Sequence, residues 1–200
     1  MSNSKNGFSS KFIAKVAIMG TLAFVVMFFD FPIPIAPAFY KIDFSEVIVL
    51  ITGFALGPMA AVITELIKVI LFFLVKGSMT GGVGEVANFL VGVAFVLPAI
   101  LIYRHHKTIK SAIVGMLIGT VSLCVAGLLL NYYVLIPTYG AVMNLPIQVF
   151  IDMGAQINPW IKDLWTFVLW ATTPFNLVKG ISVSLITLIF YKRVSPILKK

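Results

Sequence analysis

This sequence has little acidic charge. Seven residues are acidic against fifteen lysines and arginines, and charged residues fill only 11% of its 200 positions. Soluble domains carry about 25%, so a water-exposed globule is excluded. Cysteine is scarcer still: Cys124 stands alone inside an apolar run. A single cysteine excludes an internal disulfide, and with no partner residues around it a thiol or metal role is excluded too; packing remains. The patterns of catalysis are also missing. No Gly-x4-Gly-Lys-Ser/Thr loop is present, so nothing here binds and hydrolyses ATP, and there is no His-Glu-x-x-His helix, Ser/His/Asp set or facing carboxylate pair. His105 and His106 are adjacent and point to different sides of any helix, with no third ligand nearby. No metal site is expected.

In place of charge there is grease. Hydrophobic residues make up 60% of the chain, and its mean hydropathy is +1.06. About 20 apolar residues span a bilayer as a helix, so this length holds roughly six spans with nothing left for an extramembrane domain. Residues 1–200 read as a single all-α integral membrane domain. The net charge of +8 suggests nucleic acid until its placement is examined. Ten of the cations form three clusters: Lys5, Lys11 and Lys15; Arg104, Lys107 and Lys110; Lys192, Arg193, Lys199 and Lys200. Each flanks an apolar run and none contains an acid, as the positive-inside rule expects of cytoplasmic ends. Six spans with both termini inside also place the 104–110 loop inside. The basic balance therefore reports topology, with the lipid bilayer and not nucleic acid as partner, and the polar N-terminus reads as a retained cytoplasmic end with no signal-peptide cleavage site.

In chain order, residues 12–29 form the first span, with the small residues Ala14, Ala17, Gly20 and Thr21 on its early face. Such a face lets another helix approach closely, within the chain or from a separate subunit. Residues 31–41 carry three alternating prolines and predict an extended, stiff, apolar loop, a lid over a cavity or a cap on the bundle. A helix opened by Asp43, Ser45 and Glu46 runs to Gly57 and is short for a span, hence tilted or embedded. The third span, to about 75, puts Glu65 and Lys68 on one face, where ionisable groups are costly unless they pair or face a cavity. A glycine-rich loop, 76–84, leads to a fourth span over 85–103 with Asn88 one turn in. The fifth span, 111–134, holds Gly115-x-x-x-Gly119, and its end reads Asn131-Tyr-Tyr-Val-Leu-Ile-Pro137, where the proline is expected to stop the helix. A long connector, 137–164, precedes the last span, which carries Asn176 and Lys179 three apart and ends at Tyr191.

The polar groups within the spans are thus Glu65, Lys68, Asn88, Asn131, Asn176 and Lys179. The amides and Lys179 fall in the outer half, level with Phe39, Tyr40, Tyr132, Tyr139 and Trp165. Convergent amides, aromatic walls and a loop above them make a small-molecule pocket for a partly aromatic guest arriving from outside. Here the residues also resemble a known family. Pro37-Ala-Phe-Tyr-Lys-Ile-Asp-Phe-Ser-Glu46, Gly57-Pro58, Lys68, Asn88-Phe89, Asn131-Tyr-Tyr-x-x-x-Pro137 and Pro174-Phe-Asn-Leu-Val-Lys-Gly180 are similar to the riboflavin-specific substrate-binding (S) subunits of energy-coupling-factor (ECF) vitamin transporters. The resemblance covers essentially the whole chain. It implies a six-helix bacterial plasma-membrane subunit that binds riboflavin as its transported ligand, with no cofactor. It also implies partners: a transmembrane coupling subunit, which the small-residue face of helix one would dock, and two cytoplasmic ATPases. By position, Asn131, Asn176 and Lys179 would hydrogen-bond the flavin, with Glu65 and Lys68 near its polar parts and Asn88, Phe39, Tyr40, Lys41, Tyr132 and Tyr139 around it. Where the family has Ala-x-x-x-Ala on helix one, Thr21 follows Ala17 here. The residues alone leave other readings open: another vitamin, an ion-coupled carrier, a structural subunit, or a small membrane enzyme using Glu65 and Lys68 for proton transfer.

Overall fold

The computed structural model describes residues 9–78 and 80–199, with side chains to Tyr191. The expected frayed start, Lys5 and the cations of the C-terminal tail lie outside the described residues or side chains. Helix α1 (Ser10–Met27) is capped by the Ser9 side chain, and α2 (Ser45–Leu56), α3 (Pro58–Lys76) and α4 (Val83–His106) follow. A capping box of Thr108 and Ser111 starts α5 (Ile109–Leu130) directly after the basic loop. Five of the helices are long and apolar enough to cross a membrane, and α2 is a shorter apolar helix.

Helix α2 resolves its own ambiguity: it is embedded. It packs on α1, α3, α4 and the last helix, α9 (Thr173–Lys199), and Val49 and Leu50 at its middle are wholly buried. Its apolar length is enclosed by those helices, and Gly57 at its end lies against Arg104, so a short helix still carries the chain toward the basic loop. The long helices turn large apolar side chains such as Ile18, Leu74 and Ile189 outward, where lipid replaces water. Lipid gives little hydrophobic drive to helix association, so close contact must come from small residues. Gly115 and Gly119 on α5 lie against the Ala99 and Phe95 carbonyls of α4, and Gly53 on α2 lies against Ile100. The Gly115-x-x-x-Gly119 pair is a true contact face.

One expectation fails at Pro137. The fifth span does not stop there but runs without interruption to Met143. Residues Asn131–Leu135 form a π turn, in which the Ile136 N–H reaches back five residues to the Asn131 carbonyl, and α6 (Ile136–Met143) continues with Pro137 in its first turn. A proline in the first turn lacks only an N–H that has little use there, and the wider π turn resets the hydrogen-bond register before it. The connector that follows is accordingly shorter than expected. It contains α7 (Ile147–Ala155), and a capping box of Asp163 and Thr166 then begins α8 (Leu164–Phe167). Helix α8 leads through a second π turn, Val168–Thr172, into α9 (Thr173–Lys199).

The proline segment is neither a bare extended strand nor a helix. Strands β1 (Phe31–Pro32) and β2 (Lys41–Ile42) pair antiparallel and close it into a hairpin. Ala36 and Ile42 bury themselves against Phe175 of α9, which fixes the hairpin over the end of the bundle.

Candidate functional site

A cavity of about 470 Å³ opens at the end of the bundle opposite the basic 104–110 loop. The proline hairpin, the glycine-rich loop, α4, the α5–α6 helix, α7 and α9 each supply part of its lining. Of the residues expected at a pocket, Phe39, Tyr40, Lys41, Asn88, Asn131, Tyr139, Asn176 and Lys179 all line it. They come from segments up to about 140 positions apart, which only the tertiary fold unites.

Its polar groups are in two different states. Asn131 is engaged: its amide N–H donates to the Gly127 carbonyl at 2.7 Å, and its Oδ1 accepts from the Tyr40 hydroxyl at 2.7 Å. The same Tyr40 hydroxyl meets Thr172 Oγ1 at 2.7 Å, so side chains from both π turns converge on one residue of the hairpin. Burial pushes the Tyr40 phenol well above its usual range, against the opposing Thr172 hydrogen bond, so it stays a hydroxyl. Lys179 is engaged as well, ion-paired to Asp43 at 3.2 Å and Glu46 at 3.1 Å. Burial pushes the Asp43 carboxyl up, but Lys179, Lys68 and the Ser45 donors outweigh it and hold it at about 2. At the cavity mouth Lys41 is held by Asp30 at 3.4 Å.

Two amides are uncommitted. Asn88 Oδ1 is buried with no hydrogen-bond partner among the described residues. Asn176, 6% exposed, lies beside Gly127, where an added Cβ would come within 2.1 Å of its Nδ2. Gly127 is therefore the space in which the Asn176 amide sits. The walls between these amides are aromatic. Phe39 packs edge-on against Phe150, and Tyr40 stacks on Phe175 at 5.1 Å between ring centres. A buried amide costs free energy until it is paired, so free amides between apolar rings suit a flat guest with a polar edge.

Three expected residues are elsewhere. Glu65 and Lys68 do not line the cavity; they pair with each other at 2.7 Å, and Lys68 also reaches Glu46 at 3.4 Å. Helix α3 packs on α1, α2 and α4, which turns that face toward the acids of α2. Tyr132 follows Asn131 by one residue and so points away, packing edge-on against Trp165 at 5.7 Å. On α1, Ala14, Ala17 and Thr21 are exposed, whereas Gly20 is buried against Ile67 of α3. The open small-residue face is therefore Ala14, Ala17 and Thr21, with the Thr21 hydroxyl turned back onto the Ala17 carbonyl.

Sequence reasoning missed Thr80, Phe150, Met153 and Phe175 in the lining. It also missed that the acids opening α2 are the partners of Lys179. The signal for the second was present: two acids at the start of an otherwise apolar buried helix require cations from another element.

A helical membrane bundle with a loop-covered cavity lined by aromatic rings and half-committed amides has the form of a solute-binding membrane protein. The chain belongs to the family "ECF transporter, substrate-specific component", whose model matches residues 11–191. It is 36% identical over 191 residues to "Riboflavin transporter RibU" of Staphylococcus aureus (strain TCH60), covering 96% of this chain and 94% of that one. It is 32% identical over 189 residues to "Riboflavin transporter FmnP" of Bacillus subtilis (strain 168), covering 93% of each. The solved structure of the S component of a bacterial ECF transporter superposes with a TM-score of 0.74 at 34% identity, over 95% of this chain and 98% of that one. The protein is a multi-pass component of a bacterial plasma-membrane transporter, and its all-α membrane fold is the one expected.

Proposed function

We propose that this chain is the riboflavin-binding subunit of an ECF transporter, capturing the vitamin in the 470 Å³ cavity and delivering it inward with a transmembrane coupling subunit and two cytoplasmic ATPases. The observation that carries the reading is the pairing of free amides with aromatic walls. The flavin ring is flat, and its imide edge places one N–H donor between two carbonyl acceptors. Asn88 Oδ1 accepts from the donor, the Asn176 amide N–H groups donate to a neighbouring carbonyl, and Phe39, Tyr139 and Phe175 hold the ring faces. Lys179 and Lys41 stand where the ribityl hydroxyls can accept from them. Capture requires the hairpin to lift, because Tyr40 binds Asn131 across the cavity wall. The exposed Ala14–Ala17–Thr21 face of α1 is the docking surface for the coupling subunit. ATP is hydrolysed by the partners, since this chain has no phosphate loop.

The test is flavin fluorescence quenching by the full chain purified in detergent. Wild type is expected to quench and to co-purify with a flavin absorption band. Asn176→Ala and Asn88→Ala should each weaken binding about ten- to a hundredfold, the cost of leaving a desolvated polar edge unpaired at about 1–3 kcal/mol, without altering thermal stability. A colourless wild-type protein that does not quench riboflavin rejects the flavin reading.

A further inference from the structure

Behind Lys179, five ionisable side chains are packed together in the interior. Asp43 precedes α2, Glu46 lies on its first turn, Glu65 and Lys68 come from α3, and Lys179 comes from α9. Glu65 and Lys68 side chains are 0% exposed and Glu46 is 3% exposed. The ion pairs run as one chain: Glu65 to Lys68 at 2.7 Å, Lys68 to Glu46 at 3.4 Å, Glu46 to Lys179 at 3.1 Å and Lys179 to Asp43 at 3.2 Å. Fully ionised, three carboxylates face two ammonium groups, and one negative charge is left over.

An uncompensated charge inside a membrane bundle costs several kcal/mol, roughly the penalty of breaking a buried ion pair. The donors available to each carboxylate show where the surplus lies. Asp43 receives Lys179 and both the N–H and the hydroxyl of Ser45. Glu46 receives Lys68 and Lys179, the single Ser45 hydroxyl hydrogen being committed to Asp43. Glu65 has Lys68 against Oε1 at 2.7 Å as a charge contact only, and both of its carboxyl oxygens are buried with no hydrogen-bond partner among the described residues. The charged side chains that bear on Glu65 are Lys68, in direct contact, and behind it Glu46 and Lys179. From α4 it is faced by Gly92, where an added Cβ would lie 2.8 Å from the Glu65 carboxyl carbon.

A metal cation is a poor solution. It needs a shell of several oxygen ligands, the α4 backbone lies against this carboxyl, and no group of three His, Cys, Asp or Glu is placed to hold a metal among the described residues. A proton needs no shell. On Oε2, the oxygen away from Lys68, it cancels the surplus charge in one step.

We propose that Glu65 is a proton-binding site: one proton resides on its Oε2 in the resting protein and brings the five-membered cluster to neutrality. The ammonium of Lys179 then stands at the cavity wall without a net negative field behind it. This holds whichever guest the cavity takes.

Infrared spectroscopy of the full chain in detergent tests it without any ligand. At neutral pH the wild type should show a protonated-carboxyl C=O band worth one group, shifted in D2O and unchanged by excess sodium. Glu65→Gln should remove the band. Glu46→Gln should remove it too, because two acids then balance two lysines and Glu65 ionises. Glu65→Asp keeps the charge count and should move the band to a different frequency, whereas Glu46→Asp should leave it in place; this pair locates the proton should Glu65→Gln not fold. Absence of the band in wild type, its survival in either Gln variant, an unmoved band in Glu65→Asp, or its loss on adding sodium each overturns the proposal.

Discussion

Near the basic loop, a methyl group placed on Gly115 of α5 would come within 2.5 Å of the Ala99 carbonyl oxygen of α4. Toward the other end, the same two helices line a cavity of about 470 Å³. One half of the bundle is closed by backbone contact and packed aliphatic side chains. The other is held open by π turns, a hairpin and side-chain hydrogen bonds. The difference separates what makes the chain a stable membrane protein from what makes it a receptor. The charged cluster of α2, α3 and α9 lies at the seam.

Breaking the seam should have the largest effect. Lys68→Met strands three buried acids around one remaining lysine and is expected to destabilise the protein by about 3–5 kcal/mol, read as loss of folded material in detergent or a large fall in thermal midpoint. Next comes an attack on the closed half alone. Gly119→Leu forces a side chain against the Phe95 carbonyl, 2.4 Å from the new Cβ, and should cost about 1–3 kcal/mol, while the fraction that folds binds flavin as wild type does. A Gly119→Leu protein that folds normally but loses binding would mean the two halves are not separable. The smallest effect belongs to the open half. Tyr40→Phe removes the hydroxyl between Asn131 and Thr172 and should lower stability by no more than about 0.5–1.5 kcal/mol. Its signature is kinetic, with ligand association and dissociation both faster in stopped-flow quenching because the hairpin is held less firmly.

The closed half was largely legible in the sequence. Apolar run lengths, basic clusters and Gly115-x-x-x-Gly119 are local signals, and they located the spans and one true packing face. The open half was legible in membership more than in state. That Asn131, Asn176, Asn88 and Lys179 gather at one end follows from their depth in the spans. That Asn131 is already taken by Tyr40, 91 positions away, does not, because the pairing is set by the hairpin. Glu65 and Lys68 show the same limit. Helical spacing puts both on one face of α3, but whether that face meets a cavity or the acids of α2 depends on how α2 is buried. Pro137 misled for a related reason: a proline ends a helix only where the register cannot adapt, and here a π turn adapts it.

The π turn of Asn131–Leu135 also sets the geometry of a whole wall. Gly127, Asn131, Leu135, Tyr139 and Met143 all line the cavity, each four residues after the last. In an unbroken α-helix a step of four residues overshoots a full turn by about 40°, so those five positions would wander through about 160° of the helix surface. A π turn, with more residues per turn, absorbs part of that overshoot. The irregular stretch is thus an angular correction that narrows the spread of azimuths this wall presents to the ligand along its final four turns.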